Sequence, residues 1–353
     1  MVNAEAQIVS TIGLNPQTEP LRLEDLENRI INADCMDILR RLPDKCVDLV
    51  LTDPPYFGIV KNDWDNQWHD IFDFQKWVGE VGKELKRVLK DNGSIYWFGD
   101  DKTIAYCQVE LDQYLRLLNN IIWRKLSLQT LKGVHVFRSY APITERILFY
   151  DKGEDKTGLE MVKDIMPNPF AEYLKNEFNR AGVSKKQISK LFPSKTGGLT
   201  GCVSNWLNGD HIITKDQYKK IKEFLGKDFL RREYEELRRE YEELRREYEE
   251  LRRVWNNDSK ALDVLDFPVC SDDGRFHPTQ KPLALITYLM ERSSKEGNLV
   301  LDCFSGSGTT AIACHRLNRR FICVEKDKEY WEASVKRLED ECKQLSLFGS
   351  VAQ

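Results

Sequence analysis

The sequence predicts an α/β protein whose layered, mostly parallel sheet is interrupted by a helical insert. Three observations lead there. Apolar strand-like runs alternate with helical periodicity from Arg29 to Tyr150. The alternation stops between about Gly153 and Lys260, where the chain turns to short, polar, basic helical pieces. It resumes at Val264 and runs to a closing helix. Alternation of this kind is what βαβ units look like before folding.

The elements follow in order. A polar, irregular arm comes first. Ile30-Ile31-Asn32 then leads into Ala33-Asp34-Cys35 and a helical turn carrying Met36, Ile38 and Leu39. Residues 47–51 form a short apolar run that fits a buried parallel strand, and it ends at Asp53-Pro54-Pro55-Tyr56. A helical stretch, 74–89, precedes Asp91-Asn92-Gly93, a turn signal before the strand 94–98. Further strands are expected at 118–123, 145–150, 299–302 and 320–325, and a last helix at 329–345.

Composition narrows the class. The chain has 353 residues, 41% apolar and 31% charged, enough for a catalytic domain with an insert. Its nine cysteines include no C-x-x-C pair, which reads as a reduced, cytoplasmic protein without structural zinc; no metal is expected. The N-terminus lacks a signal-peptide pattern and no run is long enough to span a membrane.

Two segments carry chemistry. Asp53-Pro54-Pro55-Tyr56 sits just past a strand end, where ligands bind in open α/β sheets. Prolines lack N–H, so this loop offers acceptors: the Asp53 carboxylate and backbone carbonyls. Two acceptors holding the hydrogens of an exocyclic amino group would free its lone pair, and Tyr56 could stack on a base taken out of a duplex. An ordinary Pro-Pro turn with a capping Asp is the alternative. Asp302-Cys303-Phe304-Ser305-Gly306-Ser307-Gly308-Thr309 reads as a strand end, a glycine turn and a helix start. Glu325 ends the next strand, placed to hold two ribose hydroxyls. About 28 residues follow Glu325, too few to finish a dinucleotide fold. The missing strands must come from the N-terminus, so the sheet is circularly permuted, with Ala33-Asp34-Cys35 following Glu325 in space.

Asp53 to Tyr56, a variable insert, His277-Pro278-Thr279-Gln280-Lys281-Pro282, then Phe304-Ser305-Gly306-Ser307-Gly308: in this order the chain resembles the β group of DNA amino-methyltransferases of restriction-modification systems. The likeness covers roughly 29–155 and 264–345. It implies a seven-stranded, circularly permuted class I (Rossmann-like) methyltransferase sheet with an inserted target-recognition domain, and S-adenosylmethionine as cofactor. Phe304, Gly306, Gly308 and Thr309 would line the methionine end of that cofactor. Glu325 would bind its ribose, Asp34 would lie near its adenine, and Thr279, Gln280 and Lys281 would cover it, with Asp53 and Asp302 alongside. Asp53, Pro54, Pro55 and Tyr56 would carry the target base. Asp at position 53 is the commoner form in adenine-modifying members. Two departures stand out: Ala33, where Gly often precedes the acidic residue, and Thr144 before Glu145, where an aromatic or His often sits. The implied organisation is an arm at 1–28, catalytic parts at 29–155 and 263–346, an insert at 156–262 and a tail at 347–353.

The insert reads as the sequence reader. Residues 171–230 hold eleven basic and six acidic side chains while the whole chain carries a net charge of −4. Residues 183–192, with Lys185, Lys186 and Lys190, look like the first helix of a helix-turn-helix; residues 200–209, with Ser204 and Asn205, look like its recognition helix. Their link, 193–199, is longer than the usual turn. RREYEEL then occurs three times, at 231–251, placing Tyr and Leu at alternating three- and four-residue steps. This predicts a helix of about 35 Å, with Glu-before-Arg pairs four residues apart. Its stripe would pack on its own insert or meet a second subunit or DNA. The expected partner is double-stranded DNA; a homodimer and a separately encoded restriction endonuclease are candidates. A cytosine-N4 enzyme, an RNA or protein-glutamine methyltransferase and a non-catalytic helix-turn-helix regulator are the rival readings.

Overall fold

A computed structural model describes residues 22–58, 67–125, 138, 140, 142–153, 168–194, 198, 200–256, 261–269 and 279–349, with the helices alone at 249–251 and 345–349. Residues 1–21 of the expected arm, His277, Pro278 and the end of the tail lie outside the described residues. The chain forms two compact units, Met1–Val162 with Arg253–Gln353, and Lys163–Arg252.

The first unit is built on one sheet. Its strands are β1 (Arg29–Asn32), β2 (Val47–Thr52), β3 (Leu89–Gly99), β4 (Arg116–Lys125), β5 (Thr144–Asp151), β6 (Val264–Phe267), β7 (Leu299–Asp302) and β8 (Arg320–Glu325). They lie in the order β1-β8-β7-β2-β3-β5-β4-β6. The first five are mutually parallel, and β5 runs antiparallel to β3 and β4. The N-terminal strand docks beside β8, with Asn32 opposite Glu325, so the sheet is circularly permuted.

The described sheet has eight strands where the resemblance implied seven. The extra one, β6, extends the β4 edge in parallel. Trp123 Nε1 donates to the Phe267 carbonyl at 2.8 Å, and Leu265 is buried against the sheet, which anchors this short segment. Asp91-Asn92-Gly93 is not a turn between elements either. It lies within β3, which begins directly after helix α2 (Ile71–Val88). The residues form a bulge: Val47 pairs with Leu89 but Leu49 pairs with Ser94. Gly93 is required there, since a Cβ would fall 2.6 Å from Leu89 Cδ1.

Strand alternation divides the core into two layers. Val47 and Val50 face α1 (Cys35–Leu39), α2 and α3 (Ile104–Leu111), with Phe74, Val78 and Leu85 buried among them. Leu49 and Leu51 face α9 (Leu283–Ser293), α10 (Thr309–Arg316) and α11 (Lys328–Gly349). No helix among the described residues is long and apolar enough to cross a membrane.

The second unit is helical: α4 (Pro169–Arg180), α5 (Lys185–Ser189), α6 (Cys202–Asn208), α7 (Lys215–Leu225) and α8 (Tyr234–Leu251). Its own core joins Phe170, Leu174, Ile188, Trp206, Tyr218 and Ile221. Ser184 with Gln187, and Thr214 with Gln217, form capping boxes that start α5 and α7. Gly209, at φ 86°, ends α6. The repeat helix α8 covers 18 residues, about 27 Å at 1.5 Å per residue, and so is shorter than expected; it starts only after Glu233, an extended N-cap. Leu237 is fully buried in the unit's core, with Tyr234 and Tyr241 packed against it. This half of the Tyr/Leu stripe thus packs on its own unit. Among the described side chains, the i,i+4 ion pairs along α8 run Arg-first, Arg232 to Glu236 and Arg238 to Glu242; as exposed pairs they contribute little. Glu249, of the expected pair with Arg253, lies outside the described side chains.

Candidate active site

The carboxyl ends of β1, β8, β7, β2 and β3 open on one cavity of about 1170 Å³. Connections leave β7 and β2 in opposite directions, so it lies at the switch point where α/β sheets bind ligands. Asp34, Asp53 to Tyr56, Thr279 to Lys281, Asp302, Phe304, Gly306, Thr309 and Glu325 all line it. Gly308 sits one step behind, at φ 72°. A Cβ there would approach Ser334 Cβ to 3.0 Å and Ile30 Cδ1 to 3.4 Å, so this glycine permits the turn to pack on α11 and β1.

The glycine turn is held from beneath by Asp302. Its Oδ1 accepts from Thr52 Oγ1 and from the Phe304 amide, both at 3.1 Å, and its Oδ2 accepts from Thr310 Oγ1 at 2.6 Å. Burial raises the Asp302 carboxyl to about 7 against those hydrogen bonds. Asp302 ties β2, β7 and α10 together beneath the turn. Glu325 serves the upper side. Its Oε2 accepts from the Gly306 amide at 2.7 Å and its Oε1 from the Asp327 amide at 2.8 Å. Burial raises this carboxyl too. Each oxygen keeps a further lone pair for a ligand hydroxyl. Asp34 caps α1 through the Met36 amide at 2.9 Å and pairs with Lys326 at 3.0 Å.

The second half of the cavity surrounds Asp53. Tyr56 Oη donates to Asp53 Oδ1 at 2.5 Å, and Lys281 Nζ donates to Asp53 Oδ2 at 2.5 Å. Lys281 Nζ also lies 3.3 Å from Glu145 Oε2, whose other oxygen pairs with Lys125 at 2.5 Å. Burial raises the Asp53 carboxyl, with Lys281 pulling it back. Burial first, and Asp53 beside it, hold the Tyr56 phenol protonated. The Tyr56 hydroxyl is therefore tied to its own loop. Lys281, expected over the cofactor, lines this cavity with its ammonium bonded to Asp53. Glu145 and Lys125 were not among the expected site residues. The hint for Glu145 was its place after Thr144 in the family pattern; Lys125, at the end of β4, had none. Trp77 was also missed; it lines the cavity with its ring centre 5.5 Å from that of Phe304. Nothing in the helical pattern of α2 separates it from a core residue.

These residues suit S-adenosylmethionine. Carboxylates at Asp34 and Glu325 favour a cationic ligand, Glu325 suits a pair of hydroxyls, and Trp77 with Phe304 offers an aromatic wall. Glu325→Ala should weaken cofactor binding by roughly 10- to 100-fold, since hydrogen bonds to a charged group are worth about 1.5–3 kcal/mol. Calorimetry checks this, and a dissociation constant within about twofold of the parent would refute the assignment.

The insert places its expected residues on two helices. Lys185, Lys186 and Lys190 are exposed on and just after α5. Ser204 and Asn205 are half-buried on α6. Phe192 meets Trp206 edge to face at 5.2 Å, packing the link onto α6.

Residues 47–336 match a family profile described as DNA methylase, of the N6/N4 methyltransferase kind. Among curated proteins, the chain is 26% identical to the Type II methyltransferase M2.DpnII of Streptococcus pneumoniae over 330 residues, covering 88% of this chain and 90% of that one. It is 26% identical to the DNA adenine methyltransferase YhdJ of Escherichia coli (strain K12) over 327 residues, covering 91% and 86%. Among solved structures, the cytosine-N4-specific PvuII DNA methyltransferase shares its fold with a TM-score of 0.50 at 13% identity, over 88% of this chain and 90% of that one. With the permuted sheet and this cavity, the match assigns the chain to the N6/N4 DNA methylase family, the S-adenosylmethionine-dependent DNA amino-methyltransferases.

Proposed function

We propose that this chain methylates the exocyclic amino group of adenine, at N6, within a specific site of double-stranded DNA. The observation that carries the reading is the Asp53-Pro54-Pro55-Tyr56 loop opening on the same cavity as the glycine turn and Glu325. The choice of adenine draws on Asp at position 53 and on the name of the YhdJ relative. S-adenosylmethionine, when bound, supplies an activated methyl group. The residues here do the rest. Glu325 and the glycine turn hold the cofactor end. Asp53 and the Pro54 carbonyl accept the amino hydrogens and so release the nitrogen lone pair toward the methyl. Tyr56 Oη fixes one Asp53 oxygen and presents its ring to the base. The acceleration comes mainly from positioning. The reading includes work in the cytoplasm, with a second copy of the chain and a separately encoded restriction endonuclease as candidate partners, the latter in keeping with the Type II name of M2.DpnII.

Long-read sequencing of DNA from cells expressing the chain, with chromatography of the digested nucleosides, tests it. N6-methyladenine at one recurring site is expected. N4-methylcytosine would transfer the reading to the other amino base, and no modified base would sink it.

The reader is the helical unit, with lysines on phosphates and α6 on base edges. Neutralising Lys185, Lys186 and Lys190 should weaken binding to all sequences. The slope of log affinity against log salt should flatten by about 0.9 for each phosphate that is no longer neutralised. Ser204→Ala and Asn205→Ala should instead change which site is modified. If both sets of variants behave alike in binding and sequencing, the assignment of α5 and α6 is wrong.

A further inference from the structure

Lys281 is 7% exposed and sits between two carboxylates, 2.5 Å from Asp53 Oδ2 and 3.3 Å from Glu145 Oε2. The faces of Tyr56 and Phe98 lie 5.4 Å from its ammonium. The three ionic groups come from three places: the loop after β2, the start of β5, and the segment before α9. A buried ion triad is a poor way to stabilise a fold, because desolvation offsets the attraction. This one opens on the reaction cavity. We propose that Lys281 and Glu145 are positioning residues for Asp53. Lys281 holds Asp53 as the anion that accepts the amino hydrogens. Glu145 is the second anion, which keeps Lys281 paired when Asp53 takes up the proton released by methyl transfer. The proposal rests on the reading of Asp53 as the group that meets the target amine.

The chemistry balances without a further reactant. As the nitrogen–carbon bond forms, the electron pair of the carbon–sulfur bond stays with sulfur, and the nitrogen must shed one proton. That proton passes to an Asp53 oxygen, leaving a neutral acid, and then to water when the site opens. A lone Lys281 beside neutral Asp53 would be a buried, uncompensated cation. Glu145 lessens that penalty: its Oε2 stays 3.3 Å from Lys281 while its Oε1 pairs with Lys125 at 2.5 Å, so two ammonium groups share one carboxylate and the cluster carries one net positive charge until the proton leaves. The charged and titratable groups facing Asp53 are Tyr56 on its own loop, Lys281 before α9 and Glu145 on β5. Asp302 at the end of β7 senses its charge, and Asp100 after β3 acts on Tyr56. Lys281 lowers the Asp53 carboxyl and Glu145 raises it, so the two neighbours pull in opposite directions.

That opposition supplies the test. The kcat–pH profile is measured with cofactor and DNA saturating. Asp53 must be ionised to accept, so activity falls as pH drops through its titration. Lys281→Met removes the cation and should move this acid limb upward by about one pH unit or more, a tenfold change in ionised fraction per unit. Activity lost at neutral pH should return in alkali. Glu145→Gln should move the limb downward and lower the plateau. Cofactor affinity by calorimetry should change less than twofold in both. The protonated-carboxyl infrared band of Asp53, taken against each variant's Asp53→Asn derivative, should titrate in the same order. Should Lys281→Met fail to bind cofactor, the isosteric Glu145→Gln decides by its downward shift alone. A loss of activity uniform across pH, or no opposed shift, overturns the proposal. If Asp53→Ala is itself active, the reading of Asp53 fails first; if it is dead while the limbs stay put, only the Lys281–Glu145 pair is refuted.

Discussion

Asp53→Ala should abolish methyl transfer while leaving cofactor binding within about twofold of the parent. Removing one preorganised group that meets the reacting atoms typically lowers kcat by about 10²–10³-fold. Here the loss should reach at least that, because the change removes one of the two proposed amino-facing acceptors and the partner of the Tyr56 hydroxyl. The fold should survive, since Lys281 keeps Glu145 as a partner at 3.3 Å. The glycine turn and Glu325 are bonded to one another and to Asp302, Asp327 and Thr52, not to Asp53. Transfer from labelled cofactor, beside calorimetry, separates the two effects. Near-normal transfer would refute the mechanism.

Deleting residues 163–252 should leave a catalytic unit that folds and binds cofactor but no longer selects a DNA site. The helical unit has its own core, and none of that core's residues belong to the clusters that flank the sheet. The chain returns close to where it left: Arg253 lies 3.7 Å from Asp151, the last residue of β5. Residues 154–162 can therefore join the ends. Specific binding exceeds non-specific binding by about 10³–10⁷-fold in typical DNA readers, so selectivity should fall by at least about 10³. Competition binding between the modified site and random duplex measures it. Selective methylation by the shortened protein would show that the reader lies elsewhere.

The sequence determined by itself whatever is carried by short runs of neighbours. A strand alternates with period two, a helix with period near four, and a ligand loop follows the strand that places it. Residues 47–56 and 299–309 therefore announce both a strand and the chemistry at its end. The placement of β1 beside β8 was legible from the motif order, with the Asp53 loop ahead of the glycine turn, and the strands pair in that way. Gly209 likewise marked a helix end locally.

Only the tertiary structure decided what depends on distant residues meeting. Asp91-Asn92-Gly93 has turn chemistry, yet pairing with β2 draws it into a strand as a bulge. The edge strand β6 exists because β4 pairs with it: Trp123 Nε1 bonds to the Phe267 carbonyl and the Ile122 amide to the carbonyl of Asp263, just before the strand. Lys281 sits in a motif read as a cofactor cover, and no local pattern could reveal that its ammonium reaches Asp53. Their meeting, and that with Glu145, follows from the strand order that sets β5 beside β3 and β2 beside β7. Ionic interactions of this kind are fixed by burial and the low dielectric around them. Neither quantity is a property of a linear segment; both arise once the sheet has closed over the cavity.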